Sequence, residues 1–259
     1  MDDKFLEVAK LAAIEAGEII TKYSGKVHTK NIKNGDISDF ATEADVRSEE
    51  IITKTLSEAF PTHNIIGEEK GITHKDSEYT WVIDPIDGTF SFEVGVPYFS
   101  VSIGLLKNNK PFAGVVLNVS SNDLFWAQEG TGAYLNGNRI NVSSRDNLTE
   151  TAVALDFGHR QKRQSKVEKY VIPLIYKIGY PYSFGSAVAV LAMVAQGMLD
   201  ADVNQAWIWD FAAGAIIVRE AGGVVTDFEG REPDWSSERL NIVASNGLIH
   251  DQILEELKK

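Results

Sequence analysis

The stretch Trp81-Val82-Ile83-Asp84-Pro85-Ile86-Asp87-Gly88-Thr89 combines an apolar run, two carboxylates and a glycine. The apolar residues predict a buried strand that delivers Asp84 to its carboxyl end. Pro85 fixes φ and lacks an amide donor, so we expect the chain to turn sharply there. Asp87 follows three residues after Asp84 and can face the same point. The segment therefore predicts a cation site at the end of a strand.

The ligands that this segment offers are hard oxygen atoms. The carboxylates of Asp84 and Asp87 and the carbonyl of Ile86 suit Mg²⁺. Gly88 permits a close approach of the backbone. If Thr89 begins a helix, its amide and hydroxyl face an anion at the positive helix end. An ordinary Asp-Gly turn would have the same sequence pattern as a metal-binding turn. Acidic residues elsewhere in the chain are needed to decide between the two.

Two further acidic segments strengthen the prediction of a metal site. Glu68-Glu69 follows a short apolar strand, and Asp210 lies among Trp207, Ile208, Trp209 and Phe211. As functional residues, Glu68 would be a metal ligand and Glu69 would accept a hydrogen bond from the attacking water. A solvated Glu-Glu pair is the alternative. Asp210 could serve only the helix dipole, but an acid among aromatic residues needs a partner, and a metal is one.

Three other candidates have simple structural alternatives. Asp45 in Thr42-Glu43-Ala44-Asp45 matches a capping box, or it polarises the attacking water together with Thr89. Gly185-Ser186-Ala187 opens a helix, with Ser186 as its N-cap or with amides that contact the substrate. Lys33 is a further candidate substrate-binding residue.

The loop His159-Arg160-Gln161-Lys162-Arg163 is a basic cluster in an acidic chain. It is either a solvent-exposed basic segment that leads into a helix or part of a binding site. In the second case Arg160 or Lys162 would contact the second phosphate of a substrate that carries two. The second possibility makes Arg160 a candidate substrate-binding residue.

The pattern of the 259 residues predicts two halves that meet near residues 140–150. Residues 1–145 read as helices on an antiparallel sheet, and residues 146–259 as alternating strands and helices. Helices are expected at 3–24, 42–60, 165–178, 186–196, 209–221 and 251–257. Strands are expected at 64–66, 80–83, 98–106, 111–119, 123–128, 152–157, 201–203, 224–226 and 241–245.

Composition excludes several classes of function. The chain has no cysteine, so disulfides and thiolate chemistry are excluded. Its net charge of −12 disfavours nucleic acid and anionic membrane as partners. We find no apolar run long enough to span a bilayer and no signal peptide, and we expect a cytoplasmic protein. P-loop, zinc-protease and serine-hydrolase motifs are absent.

These residues resemble the inositol monophosphatase family of metal-dependent, lithium-sensitive phosphatases. The resemblance rests on Ile66-Gly67-Glu68-Glu69, on the segment 81–89, and on Trp209-Asp210 with Glu220-Ala221-Gly222-Gly223. Thr42-Glu43-Ala44-Asp45 is similar to the family's N-terminal acidic motif. The similarity runs from about residue 5 to 250.

The resemblance implies a layered αβαβα sandwich, an α+β or α/β fold of the fructose-1,6-bisphosphatase type, and a homodimer. It implies that Glu68, Asp84 and the Ile86 carbonyl hold one Mg²⁺, that Asp84, Asp87 and Asp210 hold a second, and that Glu68 helps with a third. Asp45 and Thr89 would orient the nucleophilic water, and the amides of Gly88 and Thr89 would receive the phosphate. Two metals can stabilise the attacking and leaving oxygens of an in-line displacement.

One departure leaves the substrate open. Inositol-specific members place a Glu seven residues before the last metal Asp, where this chain has Val203 beside Asn204. The leading expectation is hydrolysis of a small phosphate monoester, inositol monophosphate first. The alternatives are an NADP⁺, 3′-phosphoadenosine 5′-phosphate or fructose 1,6-bisphosphate phosphatase, and a non-catalytic binding subunit, for example on RNA or a polymerase.

Overall fold

The computed structural model describes residues 4–26, 30–33, 35–37 and 39–259. Its helices are α1 (Lys4–Tyr23), α2 (Glu43–Ala59), α3 (Thr89–Val94), α4 (Arg163–Lys166), α5 (Ile172–Ile175), α6 (Ala187–Ala195), α7 (Ile208–Glu220) and α8 (His250–Leu257). A 3₁₀ turn lies at Leu148–Glu150, and a π-helical turn at Val167–Val171.

The strands up to residue 140 are β1 (Asn31–Ile32), β2 (Phe40–Ala41), β3 (Asn64–Gly67), β4 (Gly71–Thr73), β5 (Tyr79–Asp87), β6 (Ser100–Lys107), β7 (Lys110–Asn118), β8 (Asp123–Gln128), β9 (Gly132–Leu135) and β10 (Asn138–Ile140). The later strands are β11 (Ala152–Leu155), β12 (Tyr180–Tyr182), β13 (Ala201–Trp207), β14 (Val224–Thr226) and β15 (Arg239–Ser245).

The larger sheet has the strand order β10-β9-β8-β7-β6-β5-β3-β4. Its pairs are antiparallel except β3 and β5, which run parallel. The parallel pair matters for function because the carboxyl ends of β3 and β5 meet at one edge. Glu68 follows β3 and Asp84 lies on β5, so this pairing brings the first two acidic motifs together.

The smaller sheet has the order β12-β11-β13-β15-β14. Strand β11 runs parallel to both β12 and β13, whereas β15 is antiparallel to β13 and β14. The strands of the two sheets come from either side of residue 145, and a division into two halves there stays a prediction.

Five layers stack around three apolar clusters, which confirms the expected αβαβα sandwich. Helices α1 and α2 cover one face of the larger sheet, and α6 and α7 cover its other face. The smaller sheet packs on the far side of α6 and α7. Its outer face is covered by α5, α8 and the π-helical turn. Helix α7 is buried on nearly all sides because it lies between the two sheets. Its apolar residues are therefore found on every face of the helix.

Local sequence signals account for much of this structure. The buried positions of α1, such as Ala9, Ala12, Ala16 and Ile20, follow helical spacing. Asn108 and Asn109 adopt φ of 50° and 55° between β6 and β7, the left-handed pair that a tight hairpin requires. No described helix is long and apolar enough to cross a membrane.

The structure corrects several expected elements. The strand expected at 201–203 continues to Trp207 because β13 pairs with β15 along its whole length. The helix expected at 165–178 begins at Arg163, contains the π-helical turn and ends at Ile175. The short strands β4, β9, β10 and β12 were not expected, since each depends on a partner strand and carries little apolar pattern of its own.

Candidate metal centre and active site

A β-bulge, and not the expected sharp turn after Ile83, brings the first two carboxylates together. Strand β5 continues to Asp87, with Asp84 opposite Ser102 and Asp87 opposite Ser100 on β6. One extra residue therefore lies between the two acids. On a regular strand, side chains three residues apart point to opposite faces. The bulge cancels this offset and places both carboxylates on one side of the sheet.

Asp210 completes an acidic cluster from the other side of the site. Oxygen atoms of Asp84, Asp87 and Asp210 all lie within 4.8 Å of one another. Asp210 is fixed at the start of α7, where its carboxylate accepts a 2.6 Å hydrogen bond from the Trp207 amide. The same side chain therefore caps α7 and belongs to the acidic cluster, and its role as a metal ligand stays a prediction.

Burial gives these carboxyl groups unusual acidities. Burial raises the pKa of Asp84 well above its usual range, and the nearby charges of Glu68, Asp87 and Asp210 raise it further. Burial also raises the pKa of Asp210 well above its usual range, and the nearby charges of Asp87 and Glu68 raise it further. Burial also raises the pKa of Asp87, to about 6, against the opposing hydrogen bonds from Ser186 and Val188.

This donor set fits a hard divalent cation. The ligands are carboxylate oxygens, which Mg²⁺ and similar ions prefer. The Oδ1 atom of Asp84 is buried and has no hydrogen-bond partner among the described residues, although buried acceptors are nearly always paired. Three buried carboxylates at this separation repel one another unless protons or a cation are present.

Glu68 and Glu69 lie in the connection between β3 and β4. The Lys33 ammonium is 2.7 Å from Glu68 Oε1 and 2.6 Å from Glu69 Oε1. Burial by itself would lower the pKa of Lys33, but the two carboxylates outweigh it and raise that pKa. Glu68 lines the cavity described below, whereas Glu69 and Lys33 do not. In this arrangement Lys33 neutralises the glutamates, and its expected contact with substrate stays a prediction.

The buried Asp45 and the partly buried Thr89 form a hydrogen-bonded pair near the cluster. Asp45 Oδ2 accepts hydrogen bonds from the amide and hydroxyl of Thr42, at 2.7 and 2.6 Å, so the expected capping box is present. The Thr89 hydroxyl lies 3.1 Å from Asp45 Oδ1 and 3.0 Å from the Ile86 carbonyl oxygen. Burial raises the pKa of Asp45 to about 7. The same aspartate thus caps α2 and contacts the candidate active site.

Gly88 joins β5 to α3 in a conformation that favours glycine. Its φ is +84°, and a Cβ there would lie 2.6 Å from the Tyr98 carbonyl oxygen. Thr89 begins α3, as expected. Both residues line the cavity.

Gly185, Ser186 and Ala187 also line the cavity, at the start of α6. Ser186 is the helix N-cap, and its hydroxyl accepts from the Ala189 amide at 3.2 Å. The same hydroxyl donates to Asp87, as do the amides of Ala187 at 3.3 Å and Val188 at 2.8 Å. These donors hold Asp87 in place, a role that the sequence did not predict.

The cluster opens into a cavity of about 420 Å³. Its lining includes the acidic residues Glu68, Asp84, Asp87 and Asp210 and the basic residues Lys162, Arg163, Lys166 and Arg239. Arg160 is not among the lining residues, whereas His159, Lys162 and Arg163 of the same basic loop are. Val203 packs in the apolar core and does not line it, whereas the neighbouring Asn204 does.

Comparison with known proteins identifies the family. The model of the inositol monophosphatase family matches residues 1–259. The chain belongs to this family. It is 38% identical to the "Fructose-1,6-bisphosphatase/inositol-1-monophosphatase" of Aquifex aeolicus, over 99% of this chain and 96% of that protein. It is 37% identical to inositol monophosphatase 3 of Solanum lycopersicum, over 99% and 97%.

The solved structures agree with the family assignment. The extragenic suppressor protein suhB of Bartonella henselae superposes with a TM-score of 0.90 at 34% identity, over 99% of both chains. The family is generally metal-dependent, and the cluster of Asp84, Asp87 and Asp210 accords with that. The resemblance inferred from the sequence and its fold are thus confirmed.

Sequence reasoning missed one residue that shapes the family's acidic site in this chain. Glu49 is fully buried on α2, and its carboxylate accepts the amides of Glu69 and Lys70, each at 2.7 Å. It lies so close to Gly67 that a Cβ there would be 2.5 Å from Glu49 Oε1. A glutamate at a buried helical position was the only available signal, because its partners lie about twenty residues away in sequence.

Proposed function

We propose that the protein is a Mg²⁺-dependent phosphate monoesterase acting on a small phosphorylated alcohol, with inositol monophosphate as the first candidate. The observation that carries this proposal is the convergence of Asp84, Asp87 and Asp210 in the lining of one cavity, where a buried oxygen of Asp84 has no hydrogen-bond partner among the described residues. A site this rich in buried carboxylates is poorly suited to an anionic substrate unless cations neutralise it.

Glu68, Asp84, the Ile86 carbonyl, Asp87 and Asp210 would hold two Mg²⁺ ions, with Glu68 assisting a third. Bound Mg²⁺ would supply the positive charge that neutralises the phosphoryl oxygens during displacement. The hydrogen bonds from Ser186, Ala187 and Val188 to Asp87 fix that carboxylate in advance. Such supporting contacts orient metal ligands.

The remaining polar groups act on water and phosphate. Asp45 accepts a proton through the Thr89 hydroxyl, 3.1 Å away, and so orients the attacking water. A pKa of about 7 suits a general base at neutral pH. Glu69, held by Lys33, assists in placing this water. The amides of Gly88 and Thr89 receive the phosphate.

A second candidate function is hydrolysis of a substrate with a second anionic group. The basic residues in the cavity lining favour it, and one of them, Arg239, has its guanidinium 3.9 Å from the Trp207 ring centroid. A stacked guanidinium keeps its N–H groups free at the edge for an anion. Fructose 1,6-bisphosphate, NADP⁺ and 3′-phosphoadenosine 5′-phosphate are such substrates. The name of the Aquifex aeolicus relative covers both this class and inositol phosphate.

Phosphate release decides between these functions. The purified protein is incubated with myo-inositol 1-phosphate, fructose 1,6-bisphosphate, NADP⁺ and 3′-phosphoadenosine 5′-phosphate, with Mg²⁺ and with EDTA. We expect Mg²⁺-dependent turnover that is highest on inositol 1-phosphate. A higher kcat/KM on a bisphosphorylated compound, lowered selectively by Arg239→Gln, supports the second candidate. No turnover on any substrate refutes the enzyme and favours a non-catalytic binding subunit.

Two further properties belong to the same proposal. We expect a homodimer, which light scattering on the purified protein measures. We expect inhibition by Li⁺, which a titration of turnover at fixed Mg²⁺ measures.

A further inference from the structure

A buried ion pair lies in the cavity apart from the acidic cluster. Asp156 comes directly after β11 and Lys166 ends α4, and the Lys166 ammonium contacts the Asp156 carboxylate. The Lys166 side chain is only 8% exposed and that of Asp156 is 25% exposed, yet both line the cavity. Burying two charges is costly even when they pair. The pair therefore calls for an explanation beyond stability.

The surrounding structure fixes this pair in place. The Tyr170 hydroxyl donates a 2.6 Å hydrogen bond to the Asp156 carbonyl oxygen. Lys166 lies directly before the π-helical turn that contains Tyr170, and both residues are buried. Single π-helical turns are frequent at functional sites. Asn204, itself 4% exposed, places its side-chain oxygen 3.5 Å from the Lys166 ammonium.

A small recess beside the pair shows unused hydrogen-bonding capacity. The recess has a volume of about 10 Å³, room for a single water or hydroxyl, and its lining includes Asp156, Asn204 and Asp202. The Oδ2 atom of Asp202 is buried there without a hydrogen-bond partner among the described residues. Buried polar atoms of this kind are usually paired with water or ligand.

We propose that Asp156, Lys166 and Asn204 bind hydroxyl groups of the alcohol half of the substrate, so that the enzyme prefers a polyol phosphate. The three side chains offer acceptors and donors side by side, as neighbouring hydroxyls require. The ammonium is already paired with a carboxylate, so the pair has no net charge and favours neutral hydroxyls over a second anion. This inference rests on the proposed phosphatase function and names the class of its substrate.

Asp156 lies near the position where inositol-specific relatives have a glutamate. The glutamate of inositol-specific relatives falls at Val203, whose side chain here lies in the apolar core. Strand β11 runs parallel to β13, with Leu155 opposite Val203. Asp156 is the next residue and so lies beside Asn204 at the same sheet edge. A neighbouring strand thus supplies a carboxylate next to the position where the expected one is missing.

Steady-state kinetics on two substrates test this assignment. Myo-inositol 1-phosphate carries hydroxyls beside the phosphate, and p-nitrophenyl phosphate carries none. Each charge-assisted hydrogen bond lost should lower the ratio of kcat/KM for the first substrate over the second by about 10- to 100-fold. We expect that fall in Asp156→Asn and in Lys166→Met, mainly through KM. Lys169→Met, exposed on the same helical segment and outside the cavity lining, should keep the wild-type ratio.

A substrate-side comparison needs no variant and stands even if Lys166→Met does not fold. Wild-type protein should hydrolyse cyclohexyl phosphate, a ring without the hydroxyls, with a kcat/KM at least about 10-fold below that for inositol 1-phosphate. Equal values for these two substrates overturn the inference. So does an equal loss on both substrates in the variants, which would mark a purely structural role. Wild-type protein inactive even on p-nitrophenyl phosphate would refute the phosphatase function itself, a different result.

Discussion

Asp84 shows at the scale of one residue why we propose a cation at this site. Its carboxyl group is fully buried, and one oxygen has no hydrogen-bond partner in the part of the chain that the structure describes. Burial and three other acids raise its pKa. Ionising it without a counter-charge is unfavourable because buried charge is poorly solvated. A bound cation reverses this preference, since it is the largest local charge in such a site.

Replacing Asp84 by Asn should separate stability from activity. We expect Asp84→Asn to lower Mg²⁺-dependent kcat/KM by more than about 100-fold, the upper limit for residues that merely support a ligand. In EDTA its melting temperature should equal or exceed that of wild type, because the amide carries no buried charge. Calorimetry and phosphate release measure both. Asp76→Asn, an exposed loop residue, is the matched control. A variant that keeps wild-type turnover would contradict the metal assignment.

The Thr89 hydroxyl should matter through its contact with Asp45. Thr89→Val removes the hydroxyl at nearly constant volume, and we expect kcat to fall about 10²- to 10⁴-fold, the usual range for lost general acid–base catalysis. Thr89→Ser keeps the hydroxyl and should retain most of the activity. Mg²⁺ affinity from calorimetry should be similar in both variants. Equal turnover of the Val and Ser variants would rule out the proposed proton transfer.

At the scale of secondary structure, the bulge in β5 and the β3–β4 connection build the site. The bulge turns Asp84 and Asp87 to one side. The connection carries Glu68 and Glu69 and is held by the Glu49 carboxylate, which accepts two amides at 2.7 Å. Gly67 leaves the space that this carboxylate occupies. The position of Glu68 thus depends on a side chain from α2.

Glu49→Gln should weaken metal binding without touching a metal ligand. An amide side chain has one acceptor oxygen, so one of the two backbone amides loses its charged partner. We expect Mg²⁺ affinity to fall by about 10- to 100-fold, as for other groups that orient ligands. Isothermal calorimetry measures this, with Glu58→Gln, at an exposed position of the same helix, as control. Unchanged affinity in Glu49→Gln would show that the connection holds its shape without this carboxylate.

For the whole molecule, the buried acids couple stability to pH. The pKa values of Asp45 and Asp87 are about 7 and 6 in the folded protein, against an ordinary 3.8. Between the ordinary and the raised pKa values the folded state binds more protons than the unfolded chain. The free energy of unfolding therefore falls as pH rises through this range. The favourable contribution is fully present below about pH 4 and is lost as pH passes 6 to 7.

A melting series tests this coupling. In EDTA we expect the contribution of these groups to lower the melting temperature as pH rises from 5 to 8. In excess Mg²⁺ the fall should be smaller, because the cation takes over from the protons and binds more tightly at higher pH. The difference between the two series isolates the site from other titrating groups. Identical melting curves with EDTA and with Mg²⁺ at every pH would contradict a metal-stabilised site.

The sequence by itself determined what depends on neighbouring residues. Helical spacing specified α1 and α2, the Asn108-Asn109 pair specified the turn between β6 and β7, and the acidic motifs around Glu68, Asp84 and Asp210 predicted a metal site. These features follow from side-chain spacing and local backbone preference, which a short window of sequence contains. Their order along the chain was enough to indicate the family.

Only the tertiary structure decided how distant residues meet. The bulge at Asp84, the burial of Val203, the clamp by Glu49 and the ion pair of Asp156 with Lys166 all join separate elements. Each depends on strand register, which is set by pairing between distant segments, and a slip of one residue reverses every side chain. The acidic motifs and the family were therefore readable from the sequence, whereas the surface that we propose for selecting the alcohol became visible only in the packing of β11, β13 and the π-helical turn.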